Sequence, residues 1–385
     1  MRRIDDYRIT IRRKRSIFAL VLALLLLMLF LSGCRLGSAT GGLPGPAVEA
    51  VPAQPSQPVP MPTSVTLNAV GDVMLARHVG TLMLERGAGY PLARLGSDFA
   101  DADISFCNLE SPISSQGKSL PGKGICFRAR PEVIPVFQQG GVDVVSLANN
   151  HAVDYDTPAL LQTVELLAEQ QVAAVGAGKN LEAARRPVVL ERQGQRIAFL
   201  AYSDLADYCF SSSYCRRHRA EQDLAGVAPL DSAAIEQDIA AIRPEVDQVV
   251  VSLHWGQEYR ANPTVAQREL AHRLVEVGAD CIIGHHPHWF QGLEIYQGKL
   301  IAYSLGNFIF DQNWSAETRE GLFLRLEWDA DGTWRAKVRP VWIENSQPVW
   351  AAGSQAQELR RRVMNLSEKL GTTSAEAGEW ITYGP

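Results

Sequence analysis

The chain has 385 residues, 46% of them hydrophobic and 21% charged, with a net charge of −5. That balance excludes an intrinsically disordered chain and a multi-pass membrane protein, and its mildly acidic sign argues against nucleic acid as a partner. Six cysteines over this length are too few for a disulfide-built scaffold.

The apolar residues are unevenly spread. Arg12, Arg13, Lys14 and Arg15 precede an uncharged apolar run from Ile17 to Leu31, which breaks at Ser32-Gly33-Cys34. A basic cluster, a short apolar core and a small-residue break define a secretory signal, whereas a membrane span needs about 20 apolar residues. Leu31-Ser32-Gly33-Cys34 resembles a bacterial lipobox. That resemblance implies a signal over 1–34, lipidation of Cys34, and a chain anchored by lipid at the extracytoplasmic face of the cell membrane. An uncleaved anchor, the alternative, leaves the rest of the chain on the same side. Residues 35–64 are rich in Pro, Gly, Ala and Ser and read as an extended tether, because proline at this density supports neither helix nor central strand. A folded domain is expected over 65–345, followed by a C-terminal helix and a loosely ordered tail over 346–385.

From residue 65 onward, short apolar runs end in polar clusters. Val65 to Val70 runs into Gly71-Asp72, Ile104 to Cys107 into Asn108-Leu109-Glu110, and Val142 to Leu147 into Ala148-Asn149-Asn150-His151. Farther on, Val249 to Leu253 runs into His254-Trp255-Gly256, Cys281 to Ile283 into Gly284-His285-His286-Pro287-His288, and Ile301 to Leu305 into Gly306-Asn307-Phe308. Continuous apolar runs suit strands covered on both faces. Thr157 to Gln170 and Thr264 to Val277 have helical spacing, with Pro158 in a first turn and Gly278 as a stop. Two hairpins are predicted, one around Gln193-Gly194-Gln195 and one around Asp329-Ala330-Asp331-Gly332. The result is an α/β chain whose polar clusters lie beyond the carboxyl ends of strands, where such sheets bind ligands.

Five of the eight histidines fall in these clusters, beside Asp72, Asn108, Glu110, Asn149 and Asn150. Imidazole and carboxylate together suit Mn, Zn or Fe, as one or two divalent ions. Two ions bridged by one carboxylate activate water and polarise an ester or amide. His286-Pro287-His288 is the most specific element, since proline fixes the turn between two donors. His78, His218 and His272 read as structural.

The motifs Gly71-Asp72-Val73-Met74, Asn108-Leu109-Glu110, Ala148-Asn149-Asn150-His151, His254-Trp255-Gly256-Gln257-Glu258-Tyr259, Gly284-His285-His286-Pro287-His288 and Tyr303-Ser304-Leu305-Gly306-Asn307-Phe308, in this order, resemble the CapA family. That family is linked to capsule and poly-γ-glutamate synthesis and is similar to calcineurin-like metallophosphoesterases. The resemblance implies a four-layer αββα sandwich of metallophosphoesterase type. It also implies Asp72, Glu110, Asn150, His254, His286 and His288 as metal ligands, with His151 as general acid. Met74 departs from the histidine of the phosphoesterase motif, and a thioether is a poor ligand for hard divalent ions.

Arg77 is close enough in sequence to stabilise developing charge at the same rim. Arg128, Asn108, Trp255 and Glu258 are candidate substrate contacts or supports, and Tyr259, Trp289 and Phe308 could add a stacking wall. Cys209 and Cys215 are a disulfide candidate and Cys107 with Cys126 a second, while Cys281 reads as a core thiol. Three functions compete, the third being an ordinary phosphodiesterase unrelated to capsule. The first is a metal-dependent hydrolase or transferase acting on an anionic envelope polymer or phosphoester. The second is a non-catalytic accessory that binds poly-γ-glutamate or its membrane synthase and export complex.

Overall fold

The computed structural model describes residues 63–385; the segment read as a signal, with Cys34, and that read as a tether up to residue 62 lie outside the described residues. In chain order the strands are β1 (Val65–Val73), β2 (Ile104–Leu109), β3 (Val144–Ser146), β4 (Ala173–Val175), β5 (Ala177–Gly178) and β6 (Val188–Arg192). Next come β7 (Gln195–Ser203), β8 (Gly226–Val227), β9 (Gln248–His254), β10 (Cys281–His285), β11 (Leu293–Tyr296) and β12 (Lys299–Ala302). The last are β13 (Asn307–Ile309), β14 (Glu320–Trp328), β15 (Trp334–Glu344), β16 (Gln347–Trp350), β17 (Ala375–Ala377) and β18 (Trp380–Tyr383). The helices are α1 (Arg77–Arg86), α2 (Pro135–Gln139), α3 (Asp156–Glu169), α4 (Leu181–Arg185), α5 (Ser232–Ile242), α6 (Val265–Glu276) and α7 (Gly353–Glu368).

Two large sheets form. One runs β17-β18-β15-β14-β1-β2-β3-β4, with β13 beside β1 and β16 beside β15; the other runs β11-β12-β10-β9-β7-β6. The neighbours β1-β2-β3-β4 and β7-β9-β10-β12 are all parallel. Period-two alternation sends Val65, Leu67 and Ala69 of β1 to the same apolar layer as Phe106 of β2 and Phe199 of β7. The Phe106 and Phe199 rings stack 5.8 Å apart, so this layer lies between the sheets. A second apolar layer joins Val70, Cys107 and Leu109 to Val79 of α1 and Leu160 of α3. A third joins Val249, Val251 and Ile282 to Ile235 of α5 and Leu270 of α6. Three apolar layers between four structural ones make the αββα sandwich.

The local chemistry accounts for the main boundaries. Thr264 and Gln267 close a reciprocal capping box on α6, and Gly278 (φ +118) ends that region in a backbone conformation that side-chain-bearing residues avoid. Gly71 is less a turn residue than a contact. A Cβ there would lie 1.8 Å from the Gly306 carbonyl oxygen, and β1 continues through Gly71 and Asp72 to Val73.

The end of the chain differs from expectation. Residues 375–383 form the β17–β18 hairpin, paired to β15, rather than a loose tail. Arg360 of α7, itself buried, holds the hairpin through Glu376 and Glu379. Helix α7 contributes Ala356, Leu359, Val363 and Leu366 to the layer between the sheets. Residues 346–385 therefore share one compact unit with the rest of the described chain.

Candidate metal centre

The parallel strands of both sheets deliver their carboxyl ends to one place. Asp72 of β1 is in register with Asn108 of β2 and Asn307 of β13. In the other sheet, His254 of β9 is in register with His285 of β10. The turns after β2, β3 and β10 add Glu110, Asn150-His151 and His286-Pro287-His288. All of these side chains are buried.

Asp72, Glu110 and His288 offer ligand atoms that all lie within 4.8 Å of one another. Around the Glu110 Oε1 atom stand the Nε2 atoms of His254 at 3.9 Å, His151 at 4.0 Å and His288 at 4.0 Å. On the Asp72 side, His285 Nδ1 lies 3.4 Å from Oδ1 and His288 Nδ1 lies 3.4 Å from Oδ2. His254 Nε2 is 2.8 Å from Asn150 Oδ1. The Glu110 carboxylate oxygens, both His285 nitrogens and His286 Nδ1 are buried without any hydrogen-bond partner. Leaving one buried polar group unsatisfied costs about 1–3 kcal/mol, more if it is charged. A concentration of such atoms, all of ligand type and facing one another, fits a divalent cation.

The electrostatics agree. Burial would raise the Asp72 pKa, but His285 and His288 more than offset it, leaving this carboxyl well below the usual range. Glu110 moves the other way, far above its ordinary value, because it is buried and faces the charges of Asp72 and Glu258. Burial also lowers His254 and, with repulsion from His288, brings His286 down to about 3. His254 and His286 are therefore neutral, the form that coordinates.

A hydrogen-bonded layer orients these groups. Asn108 donates to Asp72 Oδ1 at 2.8 Å and reaches His254 Nδ1 at 3.3 Å. Asn149 donates to Asn108 at 3.1 Å and accepts from the backbone N–H groups of His151 and Ala152 at 3.0 and 2.9 Å. His288 Nδ1 is 2.9 Å from Asn307 Oδ1. His151 Nδ1 is 2.7 Å from Asp154 Oδ2. Asp154 also accepts from the Phe127 N–H and from the Lys123 ammonium. Phe127 stacks on the His151 ring at 4.0 Å. Burial lowers the His151 pKa, and Asp154 restores only part of it.

Residues 66–312 match the family described as "Bacterial capsule synthesis protein PGA_cap". The chain belongs to this capsule synthesis family. It is 34% identical over 281 residues to the PGA biosynthesis protein CapA of Bacillus subtilis, covering 72% of each chain. With the capsule biosynthesis protein CapA of Bacillus anthracis it shares 30% identity over 291 residues, covering 74% of this chain and 69% of that one. A probable polyglutamine synthesis accessory protein of Mycobacterium tuberculosis is 29% identical over 285 residues, covering 70% and 73%.

Within this capsule synthesis chain, several expected site residues stand elsewhere. Trp255 is 1% exposed and donates its indole N–H to the Tyr303 carbonyl at 3.1 Å, so it is core rather than a substrate wall. Phe308 is likewise buried. Asn108 is fully buried, its amide held against Asp72 and His254. The Arg128 guanidinium sits over the Tyr155 ring at 4.0 Å and donates to the Gln116 carbonyl, away from the ligand cluster. Arg77 pairs with Asp311 and lies over the Phe127 ring at 4.6 Å, so its charge already has a partner within the chain. Glu258 is exposed beside Tyr259, and burial, followed by the charge of Glu258, raises that phenol to about 12. Met74 is fully buried in the apolar layer, its Sδ accepting the Ala76 N–H at 3.0 Å. It offers nothing to the centre. Cys209 and Cys215 are joined in a disulfide, whereas Cys107, buried in β2, and Cys126 are free thiols.

Asp154 and Lys123 stand outside the sequence motifs, and Asn307 lies within the last of them with no role assigned by it. Asp154 carries a legible signal, since a spacing of three from His151 sets the two on one turn. Lys123 has none, its partner being 31 residues away.

Proposed function

We propose that this chain is a capsule-synthesis protein of the poly-γ-glutamate type, with one or two divalent cations bound among Asp72, Glu110, Asn150, His254, His286 and His288, and that it hydrolyses or transfers an ester or amide of an anionic envelope polymer. The carrying observation is Glu110, whose two buried carboxylate oxygens lack any hydrogen-bond partner while three imidazole nitrogens stand 3.9–4.0 Å from Oε1. The names of the relatives support the capsule and poly-glutamate assignment. When bound, a divalent cation supplies Lewis acidity and a water of lowered pKa. His151 supplies the proton transfer. Asp154 takes its Nδ1–H, which leaves Nε2 facing the centre. Because burial lowers its pKa, His151 rests neutral, and its bare Nε2 would take a proton from the attacking water and pass it to the leaving group. The signal and lipobox reading adds that the domain works at the outer face of the cell membrane, tethered through Cys34.

A second reading rests on Met74. With that side chain turned into the core, the first motif contributes Asp72 alone, and a single cation then organises a binding site for a polymer carboxylate without turnover. Elemental analysis of the purified full chain, with assays against phosphodiesters and γ-glutamyl polymer, separates the two. Bound metal with turnover, lost about 10²–10⁴-fold in His151→Ala with metal retained, supports catalysis. Metal with polymer binding and no turnover supports the accessory role. A chain that takes up no metal sinks both forms of the proposal.

A further inference from the structure

The Cys209–Cys215 loop lies on the segment that carries Lys123. Phe210, inside that disulfide loop, places its ring 4.3 Å from the Lys123 ammonium. A Cβ on Gly122 would lie 2.3 Å from Ser211 Oγ, so the loop and the segment before Lys123 are in direct contact. His218 packs on Phe210 at 4.9 Å, and Arg216 ties the loop to Asp156 at 3.2 Å, two residues beyond Asp154.

Under this roof Lys123 is withdrawn from solvent, its side chain 5% exposed. It donates to Asp154 Oδ1 and to the Asn150 carbonyl, so one ammonium grips both the candidate ligand turn and the carboxylate that orients His151. A lysine this buried is held by its partners and by what covers it, because desolvation alone disfavours the charge. The ring of Phe210 answers part of that cost as a cation–π contact in a water-poor setting.

We infer that Lys123 is a positioning residue for His151, acting through Asp154, and that the disulfide loop is the roof that keeps it in place. The inference rests on the reading of His151 proposed above, and it assigns a role to a loop about 60 residues away in sequence that no ligand motif touches. The loop sets the centre without joining it. Its outer face carries Tyr208 and Tyr214, both exposed, so whatever displaces the loop acts on His151 through Phe210 and Lys123.

The test follows the His151 ring proton by NMR in the full chain with isotope-labelled histidine, with His151 assigned by its loss in His151→Gln. The wild-type chain should show a protonated Nδ1 that exchanges slowly with water. In Lys123→Met, and separately in the double variant Cys209→Ser with Cys215→Ser, exchange should quicken about tenfold, the scale of one weakened hydrogen bond to a charged group. An unchanged resonance in Lys123→Met overturns the positioning role, and an unchanged resonance in the double serine variant overturns the roof. Should Lys123→Met not fold, Phe210→Leu is read in its place, with quickened exchange supporting the inference and unchanged exchange overturning it. Metal content is measured on the same samples. A wild-type chain with the slow resonance and no metal counts against the metal centre alone, while still supporting the Lys123–Asp154–His151 chain.

Discussion

Asn307 holds His288 by its Nδ1 atom, 2.9 Å from the amide oxygen, and its own amide nitrogen is spent on Gln312 and the Thr318 carbonyl. The amide cannot flip without losing both donations, so its oxygen faces His288 and fixes the tautomer with Nε2 bare. Asn307→Ala should therefore weaken divalent cation binding about 10–100-fold while the fold persists. Titration with Mn or Zn, read by calorimetry, checks this; unchanged affinity would remove Asn307 from the support of the centre.

Cation binding should release protons. Glu110 is raised well above 4.5 by burial and by Asp72, so without a cation it holds a proton that a bound cation displaces. Apparent affinity should rise with pH until Glu110 ionises unaided. Calorimetry in buffers of different ionisation enthalpy measures the release, and Glu110→Gln should abolish it along with most of the affinity.

Gly71→Ala should be severe. Its Cβ would fall 1.8 Å from a backbone oxygen, where no side chain can swing away, and Asp72, the next residue, donates its N–H to that same Gly306 oxygen at 2.9 Å. A loss of about 3 kcal/mol or more is expected from the forced backbone shift. Denaturant unfolding measures it, and a variant as stable as the wild type would contradict the contact.

His218 should make the fold acid-sensitive. Both ring nitrogens are buried without partners, and burial together with Lys123, His151 and Arg216 lowers its pKa well below 6.5. The unfolded chain thus takes up a proton first. The contribution of His218 is whole above pH 6.5 and is lost as pH falls from there toward the folded value. Melting temperatures of wild type and His218→Phe between about pH 7 and 5 should diverge, with the flatter curve in the variant. Parallel curves would refute the assignment.

The centre was largely legible because parallel strands covered on both faces read as unbroken apolar runs, so the polar residues that end them are easy to see. Asp72, Glu110, His254 and His288 all arise this way. Trp255 misled for the same reason. Adjacency to a motif says which strand end a side chain lies on and nothing about its face, and Trp255 points back under Tyr303. The final hairpin was missed because Ala375-Glu376-Ala377 is exposed along its whole length and shows no alternation; its strand character comes from pairing with β18. Lys123 and Asn307 work through partners brought by the fold, which local sequence does not encode.

Strand β1 lies between β2, some 35 residues on, and β14, about 250 residues on, and α7 fills the layer between the sheets from the far end of the chain. Until β14 emerges, β1 waits with one edge unpaired, and until α7 emerges the inter-sheet layer stands open to water. Contacts this far apart in sequence favour slow, cooperative closure of the domain over piecewise folding.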